Sequence, residues 1–463
     1  MDLTWTSANA IAYAVHDGQT SARDVVAGSL ARIAAYNGTL NAFTAVTEQR
    51  ALARADAIDA ARKNNERLGP LAGVPFAVKN LFDITGLPTV AGSKINRDRK
   101  PAAHDSPLIE RLEAAGAVLV GALNMGEYAY DFTGENVHDG AARNPHDPSR
   151  MTGGSSSGSG GAVAGGLVPL SLGSDTNGSI RVPSSLCGIF GLKPTYGRLT
   201  RAKSFPFVGS LDHLGPFARS VYDLALSYDA MQGYDGGEDP ACVDRAVEPT
   251  ASLIGNGADG LKIAVAGGYF RAGAFPEAIT AVECVAKALG VTREIEIPEA
   301  ARARAAAYVI TATEGAALHL DRLRARPNDF DPAVRDRLIA GAMIPATMVN
   351  QAQKFRRWYR AKMLELFKDV DAIIAPSTPC TAPKIGQQNF VLDGVEMPVR
   401  PNMGLYTQPI SFIGLPVAAV PIPLDPLPIG VQIIAAPWRE DVALRIAHAL
   451  ERAGVAVAPR PKN

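Results

Sequence analysis

Residues 153–181 read GGSSSGSGGAVAGGLVPLSLGSDTNGSIR, and this stretch constrains the fold more than any other. Glycines this dense among serines mean that the backbone approaches something closely or adopts positive φ. Together with the polar run that begins at Arg143, the composition up to Gly166 also fits a linker between two domains. The flanks argue against a linker. Residues 117–123 (AVLVGAL) and 167–172 (LVPLSL) read as buried strands, and linkers do not usually feed core strands at both ends.

Three chemistries compete for such a loop. A phosphate-binding loop requires G-x-x-x-x-G-K-[ST], and no lysine follows these glycines. The dinucleotide fingerprint fails because Val163 stands where a third glycine belongs after Gly158 and Gly160. Residues 154–158 (GSSSG) satisfy G-x-S-x-G, the nucleophile elbow of α/β-hydrolases, but that elbow must leave a strand. The residues before it, 143–152 (RNPHDPSRMT), are polar and turn-forming.

Elsewhere the patterns of strand and helix alternate. Ser21 is a plausible N-cap for a helix over residues 22–36, and further helices are expected at 49–64, 107–115, 301–320, 332–368 and 442–453. Strands are expected at 41–48, 73–81, 117–123, 167–172, 261–266, 372–375, 417–422 and 430–434. Residues 233–260, rich in Gly, Asp and Pro, read as a surface excursion. No internal repeat or heptad pattern is present. This alternation predicts a single α/β domain over residues 1–463, built on a large mixed sheet.

Separated motifs carry a family resemblance. GGSS at Gly153 to Ser156, and GSDTNGSIR at Gly173 to Arg181, look like the two halves of the amidase signature, with the spacing of that family. GLKPTYGR, from Gly191 to Arg198, is similar to the segment that closes the signature. Upstream, GVPFAVK from Gly73 to Lys79 resembles the strand that carries the family's lysine. The likeness runs from about Thr20 to about Glu451, with a signature core at about 71–200. It implies a central mixed β-sheet covered by helices on both faces, and a serine amidohydrolase that uses no cofactor.

The resemblance assigns Ser179 as nucleophile, Ser155 as proton relay held by a cis peptide, and Lys79 as base. Amide hydrolysis needs those parts: an activated hydroxyl, a proton carrier to the leaving nitrogen, and an oxyanion site. The oxyanion donors would be the backbone N–H groups of Thr176, Asn177, Gly178 and Ser179, with Asp175 and Arg181 holding the loop in shape. Lys79 must be neutral to accept a proton. An unperturbed lysine is neutral in roughly one molecule in a thousand at pH 7.4. Lowering its pKa by about three takes about 4 kcal/mol, which burial can supply. Two residues depart from the family's usual glycines. Ser157 adds a hydroxyl near the relay serine, and Asn177 adds a side chain to the oxyanion loop, where asparagine tolerates positive φ better than most.

The signature leaves the substrate open. Where the A subunits of the amidotransferases carry an acidic residue for the glutamine ammonium, Gly404 stands here, which counts against glutamine. The run LYTQPISFIGLP, Leu405 to Pro416, is similar to that of the 1-carboxybiuret hydrolases, whose substrate is a small, planar, anionic urea derivative. Such a carboxylate calls for a planar bidentate donor, which arginine supplies. Arg337 falls near the position where amidotransferase relatives bind the substrate carboxylate. Tyr308, Tyr406 and Gln408 are further substrate-binding candidates. A glutaminase of the amidotransferase type and a broad-specificity amidase remain the alternatives, and intact Ser179, Ser155 and Lys79 argue against a non-enzymatic scaffold. The resemblance also implies a small helical companion similar to the C subunit of the amidotransferases, and an oligomer.

Composition narrows the remaining classes. Lys+Arg and Asp+Glu both number 46, so there is no overall basic footprint for nucleic acid or an anionic membrane. The first twenty residues lack a charged segment followed by an apolar run, and no apolar stretch approaches spanning length. Cys187, Cys242, Cys284 and Cys380 are scattered without a C-x-x-C pair, and the seven histidines show no ligand spacing. The expectation is a cytoplasmic enzyme without a metal site.

Overall fold

A computed structural model describes residues 3–462. Eleven strands form one mixed sheet. In chain order they are β1 (Phe43–Val46), β2 (Pro75–Lys79), β3 (Val118–Leu123) and β4 (Leu170–Asp175). Then follow β5 (Phe190–Lys193), β6 (His213–Ala218), β7 (Ile263–Ala266) and β8 (Glu294–Ile295). The last three are β9 (Ala372–Pro376), β10 (Val417–Ile422) and β11 (Ile429–Ala435). Across the sheet the order is β1-β3-β2-β4-β6-β5-β10-β11-β9-β7-β8. Successive residues of a strand point to opposite faces. Every residue of β2, β3, β4, β10 and β11 is buried, so both faces are covered there. The main hydrophobic core runs from Ala8 to Ala456, and a smaller one gathers Phe132, Met151, Val182, Leu186 and Met403.

Only two stretches of the sheet are parallel, and one of them positions the chemistry. β2 lies parallel to both β3 and β4, with Val78 opposite Leu172. The carboxyl ends of β2 and β4 therefore sit side by side, which brings Lys79 next to the Ser174–Asp175 end of β4. From β4 to β10 the pairing is antiparallel. The sheet thus leaves the wholly parallel βαβ pattern right beside the signature strand.

The expected elements form with shifted ends. Ser21 caps the helix Ala22–Leu40 by accepting from the Asp24 N–H, and the helix runs one turn past its expected end, to Asn41 in the left-handed region. The strand expected at 167–172 starts instead at Leu170 and reaches Asp175. The helix expected over 332–368 is broken by Pro345 into Pro332–Ala342 and Ala346–Leu366, because proline cannot donate within a helix.

The largest difference lies in the glycine-rich stretch. Residues Ser157–Ala164 (SGSGGAVA) form a fully buried helix rather than a loop. Glycine disfavours helix by about 1 kcal/mol per residue relative to alanine, so local propensity opposes this element. Packing decides it. A Cβ on Gly158 would lie 2.3 Å from the Ala42 carbonyl oxygen and 2.5 Å from the Asn124 nitrogen. The helix needs glycine in order to press against the backbone at the end of β3.

Gly215 plays the same part inside the sheet. A Cβ there would meet the Leu192 carbonyl oxygen of β5 at 2.1 Å, with Ile180 Cδ1 at 3.0 Å. Gly215→Ala should therefore destabilise the protein by about 1–3 kcal/mol through overpacking. A urea midpoint equal to that of the wild type would show that β5 moves aside at no cost.

Candidate active site

Lys79 ends β2 with its side chain fully buried. Its Nζ donates to three hydroxyls, Ser155 Oγ at 2.7 Å, Ser174 Oγ at 2.9 Å and Ser156 Oγ at 3.1 Å. Among the described residues no carboxylate bonds to it. Desolvation brings its pKa down to about 7, while the charges of Asp212, Asp175 and Asp131 act in the opposite direction. Burial thus supplies the shift that a base at this position requires.

Ser156 and Ser174 lie within the motifs, yet nothing in the sequence marks either as a partner of Lys79. Ser174 reaches Lys79 only because β4 lies parallel to β2, a pairing that no local pattern announces. Ser156 is held in turn: its hydroxyl donates to the Ser174 carbonyl at 3.1 Å. The Gly154–Ser155 peptide is cis, and the Ser155 carbonyl accepts from the Gly126 N–H at 3.1 Å. Ser157, the unexpected extra hydroxyl, turns away and donates to the Asn124 carbonyl at 3.3 Å.

The loop from Thr176 to Ile180 joins β4 to the helix Arg181–Cys187. Its ends are clamped by Asp175 and Arg181, whose side chains are both completely buried. Arg181 Nε donates to Asp175 Oδ2 and Nη2 to Oδ1, each at 2.9 Å. The remaining donors go to the Thr407 carbonyl at 3.0 Å, Gln432 Oε1 at 2.7 Å and the Ser411 hydroxyl. All five guanidinium N–H groups are thus used. Burial raises the Asp175 pKa, but Arg181 outweighs it and holds the carboxyl far below its usual range. Asp175 also accepts from the Ile180 N–H at 3.2 Å, which fixes the far end of the loop.

Within that clamp, Gly178 has φ 143°. A Cβ there would lie 2.2 Å from Thr407 Oγ1, so the position requires glycine. Thr407 Oγ1 instead donates to the Asn177 carbonyl at 2.7 Å. Asn177, the other departure, donates through Nδ2 to Thr311 Oγ1 at 2.9 Å and so ties the loop to the helix Ala300–Ala325. Among the described residues the backbone N–H groups of Thr176, Asn177, Gly178 and Ser179 meet no protein acceptor. They are free to donate.

Ser179 borders a narrow cavity. Tyr308, Arg337 and Gln408 line it together with Thr176 and Asn177. Arg337 Nε donates to the Ala333 carbonyl at 2.7 Å and Nη2 to the Tyr130 carbonyl, and the guanidinium lies 3.8 Å from the Tyr130 ring centroid. None of these partners is an anion. Tyr308 reaches the cavity, but its hydroxyl proton is spent on the Pro401 carbonyl at 2.8 Å.

Tyr406 departs from the expectation of a substrate contact. Its ring is fully buried against Tyr269 and Phe270, its hydroxyl donates to the Ala272 carbonyl at 2.6 Å, and it does not line the cavity. Its place in the Leu405–Pro416 run reflects packing. Ser155 meets Lys79 on one side of the site and Ser179 borders the cavity, with no hydrogen bond joining the two serines. Among the described residues no three His, Cys, Asp or Glu side chains cluster as a metal set.

The amidase family's sequence profile matches residues 24–444. The chain belongs to the amidase family. This amidase is 55% identical over 445 residues to AtzE, a 1-carboxybiuret hydrolase subunit of Pseudomonas sp. (strain ADP), covering 96% of the one and 97% of the other. It is 35% identical over 489 residues to the A subunit of a glutamyl-tRNA(Gln) amidotransferase from Koribacter versatilis (strain Ellin345), covering 99% and 100%. A solved structure, described as an unexpected vestigial protein complex that reveals the evolutionary origins of an s-triazine catabolic enzyme, matches it with a TM-score of 0.97 at 54% identity. That match covers 99% of this amidase and 100% of that chain. The protein is accordingly an amidohydrolase of the amidase signature family.

The clamp generates a direct test. Arg181→Met leaves the Asp175 carboxylate buried without its partner, which should cost about 3–5 kcal/mol of stability. The double variant Asp175→Asn, Arg181→Met should lose less than the sum of the two single changes. Strict additivity in urea unfolding would show that the two side chains act separately.

Proposed function

We propose that this amidase hydrolyses a small ureido carboxylate, 1-carboxybiuret in the first instance, with release of ammonia through a Ser179–Ser155–Lys79 relay. The observation that carries the reading is Arg337, a half-buried cation that shares the cavity with Ser179 and whose own contacts are all neutral. Asp131 also lines the cavity but is bound to Arg400, Thr133 and Gly134, so a planar anionic substrate would supply the direct partner that Arg337 lacks. The 55% identity to a 1-carboxybiuret hydrolase supports the same substrate.

In this reading neutral Lys79 accepts the Ser155 proton while Ser155 takes that of Ser179. Ser179 Oγ attacks the ureido carbonyl, and its oxygen develops negative charge against the N–H groups of Thr176, Asn177, Gly178 and Ser179. The proton then passes back through Ser155 to the leaving nitrogen, ammonia departs, and water cleaves the acyl-enzyme by the same steps in reverse. Asp175 and Arg181 keep the donor loop in place.

The geometry at Gly404 weighs against glutamine. A Cβ there would lie 2.5 Å from Phe132 Cζ, so a phenyl ring fills the space an acidic side chain would need. A buried ammonium without a partner costs several kcal/mol, which lowers turnover by factors of about hundreds. The relative described as a protein complex, and the amidotransferase relative, support assembly with a small helical companion similar to the amidotransferase C subunit. No helix among the described residues is long and apolar enough to cross a membrane, which is compatible with action in the cytoplasm.

Ser179→Ala should abolish turnover and leave the fold intact. Lys79→Ala and Ser155→Ala should each be nearly as damaging, and combining them with it should add little, because the three act as one unit. Losses that multiply in the triple variant would sink the relay. Activity should rise with pH through about 7 as Lys79, with its pKa at about 7, gives up its proton. An acid limb set entirely below about pH 5 would remove Lys79 as the base.

A substrate panel tests the cavity. 1-Carboxybiuret and related ureido acids should be turned over, and glutamine and asparagine should be very poor substrates. Arg337→Lys should raise KM for the anionic substrates and spare neutral amides, since lysine keeps the charge and loses the fork. Efficient glutaminase activity of the isolated chain would refute this reading.

A further inference from the structure

Arg304 stands on the helix Ala300–Ala325, one turn before Tyr308 and just outside the cavity lining. Its hydrogen bonds go to neutral oxygens. Nε donates to Gln408 Oε1 at 2.9 Å, and Nη2 donates to the Pro401 carbonyl at 2.9 Å and to Asn402 Oδ1 at 2.8 Å. The guanidinium also lies 5.6 Å from the Tyr308 ring centroid. Arg304 is thereby held from three directions.

The contact with Gln408 has a chemical consequence. An arginine N–H can only donate, so the end of the Gln408 amide that faces it must be the oxygen. The two ends of an amide, often interchangeable in a structure, are distinguished here by their partner. The NH2 group must then turn the other way. Gln408 is 1% exposed and borders the cavity beside Ser179 and Arg337, and its Nε2 meets no acceptor among the described residues.

We propose that Arg304 is a positioning residue that locks the Gln408 amide with its NH2 group toward the cavity, so that Gln408 donates to an acceptor oxygen of an anionic substrate. Gln408 adds direction to the charge of Arg337. A flipped amide would present its carbonyl oxygen and repel the same ligand, and Arg304 removes that orientation. The inference rests on the reading of the cavity as the site of a small anion, and its test is independent of turnover.

The probe is malonate, titrated calorimetrically into the purified chain. Arg304→Met and Gln408→Met should each weaken malonate binding by about tenfold, the worth of one hydrogen bond to a charged group. Together they should be no worse than Gln408→Met alone, because Arg304 acts only through the amide. Gln408→Glu keeps an oxygen for Arg304 and replaces the donor by a carboxylate, so it should abolish malonate binding even if Arg304→Met unfolds. With a ureido acid that is turned over, Arg304→Met should raise KM and leave kcat within about twofold. A tenfold loss from Arg304→Met that persists in the Gln408→Met background would overturn the assignment. So would a wild-type chain that does not bind malonate, or a Gln408→Glu variant that binds it as well as the wild type. If malonate binding follows the expected pattern and 1-carboxybiuret is not hydrolysed, the proposed function fails and the role of Arg304 stands.

Discussion

The Arg181 guanidinium joins more of this structure than any other group in the site. It binds Asp175 at the end of β4, Thr407 and Ser411 in the segment before β10, and Gln432 in β11. Those partners lie up to 251 residues away in the chain. An ion pair taken wholly out of water is expensive, and it is tolerated only when every remaining donor and acceptor is used. That requirement makes the clamp directional. Thr407 must be where Arg181 needs its carbonyl, and Thr407 Oγ1 then lies where only a glycine fits at 178. The shape of the Ser179 loop follows from the demand that a buried cation be fully satisfied.

Lys79 shows the opposite solution to the same problem. It too is completely buried, yet only hydroxyl groups meet it. A carboxylate in contact would hold the ammonium charged, whereas three hydroxyls serve either protonation state, because each can donate as well as accept. Desolvation then decides and brings the amine near neutrality at about pH 7. Asp175 lies only one residue beyond Ser174, but its two oxygens face Arg181. The two buried basic side chains are therefore held differently, Arg181 by its ion pair with Asp175 and Lys79 by hydroxyls alone.

Much of this is legible in the chain. The serines and the lysine stand in recognisable motifs, and the strand leading to Lys79 is apolar throughout, so burial of its terminal residue is expected. Arg337 and Gln408 line the cavity as their positions suggest. Tyr406 does not, because a tyrosine in a shared run looks the same whether its hydroxyl meets a ligand or the Ala272 carbonyl. Ser156, Ser174 and Arg304 escape a reading of the sequence for a related reason: each acts through a partner brought near by sheet pairing or helix packing. The glycine-rich helix Ser157–Ala164 is hidden because its local preference points away from helix, and only contact with the backbone at Ala42 and Asn124 reverses it.

The division between the two sources of information has a physical basis. The sequence by itself determined the family, the alternation of strands and helices, and the chemical groups available for acyl transfer, since motif spacing and hydrophobic period are properties of neighbouring residues. Tertiary structure decided which groups became neutral, charged or oriented. Lys79 loses its proton readily because distant segments exclude water from it. Gln408 turns its NH2 group inward because an arginine 104 residues earlier supplies a donor that admits only the oxygen. Desolvation and hydrogen-bond direction depend on everything that surrounds a group, and that surrounding exists only once the chain has folded.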